Sequence, residues 1–303
     1  MSPISPKSVI IHCGLHKTGS TYLQKNLNFN KSYLARHGIL YIGPKTLKQD
    51  LRPLWNHVQW GLNEKMASRK AAQKVEKSLQ RKTPAKREIS TILISFESIF
   101  GTLRGGLVEK DRPRCINGES ELGLYRYAKN RTDRLMSSLE YLFDTDDIWW
   151  RMVTVNRKPE SFARSCYAQL IKEGHNLSKQ PVESFIEHFD FTFTTNTALQ
   201  ANLQPLSEKR NVEHSSLSYE ANIDKTDPSI YLWSFLKLSL TNVQSIDYEK
   251  MIENFRTGKI NRHSNPSLSE RGLKLAMEAR PLFKPEEWKP FRKFLEQNYP
   301  KGK

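Results

Sequence analysis

Lys17, Thr18, Ser20 and Thr21 crowd around Gly19, just behind the apolar run Val9-Ile10-Ile11. Residue types in that order read as a β-strand, a tight turn and the start of a helix. Gly14 and Gly19 bracket the turn and let its backbone approach a ligand closely. Leu23 and Leu27, four apart, give the following helix an apolar stripe, with polar residues at its N-terminus. A helix beginning there offers unpaired N–H groups and the positive end of its dipole, a combination that binds phosphate. Lys17 adds a mobile cation beside that cradle.

A second constellation repeats the pattern. Met152, Val153 and Val155 suit a buried strand, Arg157 ends it, and Pro159 opens a helix without losing a needed N–H. Ser165 follows Arg157 by eight residues, about two helical turns on. An arginine so placed forms charge-assisted, two-pronged contacts with a phosphate.

The order within the first motif is informative. A nucleotide triphosphatase P-loop ends Gly-Lys-Ser/Thr. Here Lys17 precedes Gly19 by two residues, in Lys17-Thr18-Gly19-Ser20-Thr21. That order resembles the 5′-phosphosulfate loop of sulfotransferases that use 3′-phosphoadenosine 5′-phosphosulfate (PAPS). Arg157-x-Pro159 with the later Ser165 resembles the 3′-phosphate motif of the same family. The two motifs cover about a tenth of the chain. Weaker similarity to soluble, bacterial-type members extends to Ile92–Ser98 and to Arg262-His263-Ser264-Asn265-Pro266-Ser267-Leu268.

The resemblance implies a donor, a product and roles. PAPS is the donor substrate and 3′-phosphoadenosine 5′-phosphate (PAP) the product, with no metal expected. The sulfuryl group passes to a hydroxyl or amine of a carbohydrate or small-molecule acceptor. Lys17 meets the charge on the leaving oxygen. The backbone from Thr18 through Thr21, with the Ser20 and Thr21 hydroxyls, holds the 5′-phosphate, while Arg157 and Ser165 hold the 3′-phosphate. Arg262 is a further cofactor contact, with an exposed loop arginine as the equal alternative. An alcohol acceptor needs a base. Family members use a glutamate or a histidine, and Glu97, at the end of the strand Thr91–Phe96, is the match. A surface or salt-bridged glutamate is the other reading of Glu97. His12 and His16 are rivals by their closeness to Lys17. His12 also reads as part of the strand, and His16 as a shaper of the turn or, protonated, a phosphate contact.

Bulk properties narrow the partners. The chain has 303 residues and a net charge of +16, with 37% hydrophobic and 26% charged residues, as a globular α/β protein has. No run reaches membrane-spanning length, and no signal peptide is visible, which leads us to expect a cytoplasmic protein. Cys13, Cys115 and Cys166 are too few for a disulfide framework and read as small buried side chains. The basic stretch 45–88 reads as a solvated helical face or as attraction for an anionic acceptor. Nucleic acid is disfavoured, since no zinc-finger, aromatic-basic or helix-turn-helix signature is present. Trp55, Trp60, Trp149 and Trp150 suit core or stacking roles, and none is assigned. Oligomeric state is not legible.

Strands are expected near 8–13, 39–42, 91–96, 150–156 and 243–248, and helices near 19–30, 62–82, 122–143, 160–173, 230–240, 268–279 and 286–298. Residues 101–123 read as a long loop, and 174–228 resist assignment. Alternating strands and helices predict one α/β domain over 1–303, with a mostly parallel sheet flanked by helices. The resemblance makes that a P-loop-like sulfotransferase fold, with acceptor-site insertions around 45–88, 101–123 and 174–228. Two other functions fit less of the pattern. A P-loop kinase would carry Gly-Lys-Ser/Thr and a strand-end aspartate, and a non-catalytic nucleotide-binding module would keep the pocket but transfer nothing.

Overall fold

The computed structural model describes residues 4–61, 73, 77, 88–107, 123–175, 177, 181–223, 227, 229–241, 247–250, 253 and 267–301. Five strands form one sheet: β1 (Ile4–His12), β2 (Ile39–Ile42), β3 (Ile89–Ser95), β4 (Trp149–Asn156) and β5 (Val212–Ser218). They lie in the order β2-β3-β1-β4-β5, and every neighbouring pair is parallel. Parallel strands need long crossovers, and the helices supply them. α1 (Ser20–Phe29) and α2 (Lys31–Arg36) link β1 to β2, and α3 (Arg52–Trp60) follows β2. α4 (Leu103–Leu107) and α5 (Ala128–Phe143) lie between β3 and β4. α6 (Pro159–Lys172), α7 (Val182–His188) and α8 (Asn196–Leu203) lead to β5, and α9 (Tyr219–Asn222), α10 (Ser229–Ser239), α11 (Glu270–Ala279) and α12 (Pro285–Asn298) follow it.

The strands read as apolar runs because both faces are covered. Ile10, Leu93, Val153 and Val155 pack against Leu23 and Leu27 of α1 and Leu232, Phe235 and Leu236 of α10. Val9, Ile11, Ile92, Ile94, Trp150 and Met152 face the other way, toward α3, α5 and α6. Leu23 and Leu27 are fully buried, each worth roughly 1.5–3 kcal/mol against exposure. That burial fixes α1, and so fixes the turn that precedes it.

Topology then makes a crevice. β1 and β4 are neighbours. The chain leaving β1 crosses to β2 at one edge, while the chain leaving β4 runs to β5 at the other edge. Connections that diverge from adjacent strands open a gap beyond their carboxyl ends, where ligands bind in sheets of this class.

The unassigned stretch 174–228 holds α7, α8, α9 and the edge strand β5. β5 carries no strand signal because its sequence, Val-Glu-His-Ser-Ser-Leu-Ser, is polar. An edge strand with one half-open face has no need of the apolar run that marks the central ones. Within the expected loop 101–123, residues 103–107 are helical, and most of the remainder lies outside the described residues. Of the expected strand 243–248, only Asp247 and Tyr248 are described, and Tyr248 is helical. The expected helix 62–82 lies almost wholly outside the described residues.

Candidate functional site

Gly19 is the N-cap of α1, with φ 75°, and no side chain caps the helix. Three other helices have such a cap, while α2, α3, α5, α6 and α7 do not. Thr195 caps α8, Ser218 caps α9 and Ser269 caps α11. The first turn of α1 therefore keeps donors for a ligand. A Cβ on Gly19 would stand 3.0 Å from the Tyr231 ring and 3.2 Å from the Tyr219 ring. Space and backbone angle both demand glycine there. Lys17 also lies in the left-handed region, at φ 66°, which is uncommon for a residue with a side chain.

The turn is braced from three sides. Thr18 donates its hydroxyl to the Leu15 carbonyl at 2.6 Å, and Tyr231 donates to the Thr18 carbonyl at 2.6 Å. Arg157 reaches across from β4 and donates through Nη1 to the Lys17 carbonyl at 2.8 Å. Its Nε donates to Ser161 at 3.0 Å, and its guanidinium lies 5.4 Å from the centre of the Tyr219 ring. Arg157 thus touches the first turn, its own helix and the start of α9 at once.

These elements enclose an open cleft of about 1900 Å³. His16, Lys17, Gly19, Ser20, Thr21, Glu97, Arg157 and Ser165 all line it. Thr18 does not: its side chain is fully buried and its hydroxyl is engaged with Leu15. Its side chain holds the turn, so the backbone is what it has to offer a ligand. Arg262 lies outside the described residues. The late segment is represented in the cleft by Ser267, Ser269 and Arg271. None of Trp55, Trp60, Trp149 and Trp150 lines it. Trp150 is buried in the core, and Trp55 packs on Phe96.

Comparison of the chain with protein-family models, with curated proteins and with solved structures finds no match. The site is therefore read from its own chemistry.

The Lys17 ammonium donates to Gln169 Oε1 at 3.0 Å, and Gln169 in turn donates to Glu173 at 2.6 Å. Burial lowers the Lys17 pKa, and the nearby charges of Lys172 and Arg157 push the same way. An anion entering the cleft would relieve that strain. Glu97 begins a single 3₁₀ turn just beyond β3, and Gln24 of α1 donates to its Oε2 at 2.7 Å. A carboxylate held through one oxygen keeps the other for a proton.

The two histidines separate. His12 is buried, pairs through Nδ1 with Ser95 Oγ at 2.8 Å and tilts against Phe235. Burial lowers its pKa to about 3, so it is a neutral core residue at the end of its strand. His16 lines the cleft, and its backbone N–H donates to Tyr125 Oη at 2.8 Å while its Nδ1 lies 2.7 Å from the same oxygen. Burial lowers its pKa too, against the pull of Glu97 and Glu173. Cys13 and Cys166 are buried free thiols whose pKa values burial raises, so neither is a ready nucleophile. Cys115 lies outside the described residues.

Gln24, Tyr125, Gln169, Tyr219 and Tyr231 are functional neighbours to which the motifs do not point. Tyr231 falls in a helix legible only as a helix, and Tyr219 in the stretch that resists assignment. Of the basic stretch 45–88, Lys48 has a described place: its ammonium sits 4.7 Å from the centre of the Phe96 ring and its charge is felt at His16.

Proposed function

We propose that the chain is a PAPS-dependent sulfotransferase acting on a hydroxyl or amine of a carbohydrate or small-molecule acceptor. One observation carries the reading. Two turns that the sequence marks as phosphate sites, 140 residues apart at Lys17 and Arg157, meet at the carboxyl ends of adjacent strands and join through a hydrogen bond. Two separate cationic turns side by side suit a nucleotide phosphorylated at both the 5′ and 3′ positions of its ribose better than a single triphosphate tail.

In this reading the uncapped first turn of α1 binds the 5′-phosphate, with the Ser20 and Thr21 hydroxyls. Arg157 and Ser165 take the 3′-phosphate. The acceptor oxygen attacks sulfur in line as the bond from sulfur to the 5′-phosphate oxygen breaks. Lys17 meets the charge that builds on that leaving oxygen. The acceptor proton passes to Glu97, and the products are PAP and the sulfate ester, or the sulfamate where an amine nitrogen attacks instead. Lys158, Arg164, Arg271 and Lys301 also line the cleft. They favour an anionic acceptor, although Glu160 and Glu183 already pair with Arg164. Among the described residues no helix is long and apolar enough to cross a membrane. A cytoplasmic location belongs to the same reading.

Calorimetric titration tests it. PAP should bind in the micromolar range, far more tightly than 5′-AMP. Arg157→Ala should cost PAP roughly 10–100-fold while leaving AMP nearly unchanged, as expected for a lost hydrogen-bonded charge. Preference for ATP-Mg, or no binding by folded protein, would overturn the proposal.

A further inference from the structure

Two of the three positive-φ residues other than glycine among the described residues touch this site: Lys17 at φ 66° and Tyr125 at φ 67°. Such backbone strain persists where the surroundings over-determine it, and it gathers at functional positions. Tyr125 is also fully buried, wedged against Phe100 and Phe162, with its ring stacked beside that of His16. Its hydroxyl has two partners, both on His16.

A phenol has one proton to give. The His16 backbone N–H can only donate, so Tyr125 Oη accepts that bond. If Nδ1 carried the imidazole proton, it would donate to the same oxygen. The phenolic proton would then be buried with no acceptor among the described residues, a costly arrangement. If the phenol donates to Nδ1, every group is satisfied. Burial raises the Tyr125 pKa well above its ordinary value and lowers that of His16, which keeps the phenol protonated and the imidazole neutral. The single ring proton of His16 then sits on Nε2, which has no partner among the described residues.

We infer that Tyr125 is a positioning residue that locks His16 in the Nε2–H form, making His16 a neutral hydrogen-bond donor to the cleft rather than a base. The inference rests on the proposed function for what the donor serves. Beside Lys17, it meets the anionic sulfuryl or phosphate oxygens of the donor nucleotide. It also resolves the rivalry over the acceptor proton: with Nδ1 occupied and Nε2 protonated, Glu97 is left to receive it. The charged groups acting on His16 are Lys17 of its own turn, Lys48 after β2, Glu97 after β3 and Glu173 after α6.

Nitrogen NMR of the ¹⁵N-labelled full chain, without nucleotide, tests the lock directly, with His16→Asn used to assign the signal. An unprotonated Nδ1 and a protonated Nε2 at neutral pH are expected. In Tyr125→Phe the two tautomers should mix and the ring should titrate at a different pH. A protonated Nδ1 in the unsubstituted protein, or a Tyr125→Phe spectrum identical to it, overturns the inference. Sulfuryl-transfer kinetics test the donor role. His16→Gln, which keeps an amide near the Nε2 position, should lose about tenfold in kcat, and His16→Asn, with its amide near Nδ1, about 100-fold. The reverse order overturns it. If the protein transfers no sulfuryl group at all, the proposed function fails while the spectrum still decides the tautomer.

Discussion

The turn after β1 and the turn after β4 look alike in sequence, yet they are built on opposite principles. The first gives up its side chains to hold its backbone. Thr18 is buried under Leu15, Gly19 is hemmed in by two tyrosine rings, and Lys17 adopts a left-handed backbone. What remains for a ligand is a set of N–H groups, the Ser20 and Thr21 hydroxyls at the start of α1, the His16 ring and one ammonium. The second turn is short and ordinary in backbone, with Pro159 at the start of its helix. It works through a side chain, since Arg157 braces the first turn and faces the cleft together. A backbone cradle is rigid and indifferent to most substitutions outside it. A side-chain clamp is adjustable and fails at a single residue.

The largest effect should come from the one cation the first turn presents. Lys17→Met keeps the length of the stem and removes the charge. Under the proposed function kcat should fall about 10²–10³-fold, as when one pre-organised donor to a developing anion is lost. PAP affinity should change far less than in Arg157→Ala. Paired kinetics and calorimetry on the two variants sharpen the contrast: one turn would govern the chemical step and the other nucleotide affinity. Equal losses of affinity in both would erase it.

Acid should disturb the first turn before the second, because His12 lies directly beneath it. A Cβ on Gly14 would come within 2.9 Å of His12 Nε2, so little room separates ring and turn. The His12 pKa falls from 6.5 to about 3 on folding, through burial. Below about pH 6.5 the unfolded chain takes up this proton while the folded protein does not. The stabilisation from a neutral His12 is thus complete above that pH and is lost as pH falls. The slope is about 1.4 kcal/mol per pH unit for one proton. His12→Asn retains a partner for Ser95 without the titration. Between about pH 6 and 4 the stability gap between the unsubstituted protein and this variant should narrow at that rate in urea unfolding. A gap that stays constant with pH would mean that His12 is not held neutral.

Much of this is legible in the chain. The central strands announce themselves because burial on both faces requires Val, Ile and Leu without interruption, as in Val9-Ile10-Ile11 and Ile92-Leu93-Ile94. The turns are legible because Gly19 and Pro159 have few substitutes in those positions. What escapes is what tertiary contact alone decides. β5 is polar because it lies at an edge. Tyr125 meets His16 across 109 residues, and Tyr231 meets Thr18 across 213, with no local pattern to mark either. The motif groups Thr18 with its neighbours as a ligand contact because sequence distinguishes a threonine from a valine but not a buried hydroxyl from an open one.

That last distinction gives the smallest effect and the finest test of the backbone cradle. Thr18 and Thr21 lie three apart in one phosphate motif and are equally good hydrogen-bond donors on paper. Thr18 is sealed inside, while Thr21 is exposed and lines the cleft. Thr18→Val should lower stability by about 1 kcal/mol, the usual net value of one hydrogen bond, and leave PAP affinity close to unchanged. Thr21→Val should leave the urea midpoint in place and weaken PAP by a few-fold. If Thr18→Val weakens PAP as much as Thr21→Val does, the hydroxyl of Thr18 turns toward the ligand on binding. The first turn would then be as adjustable as the second.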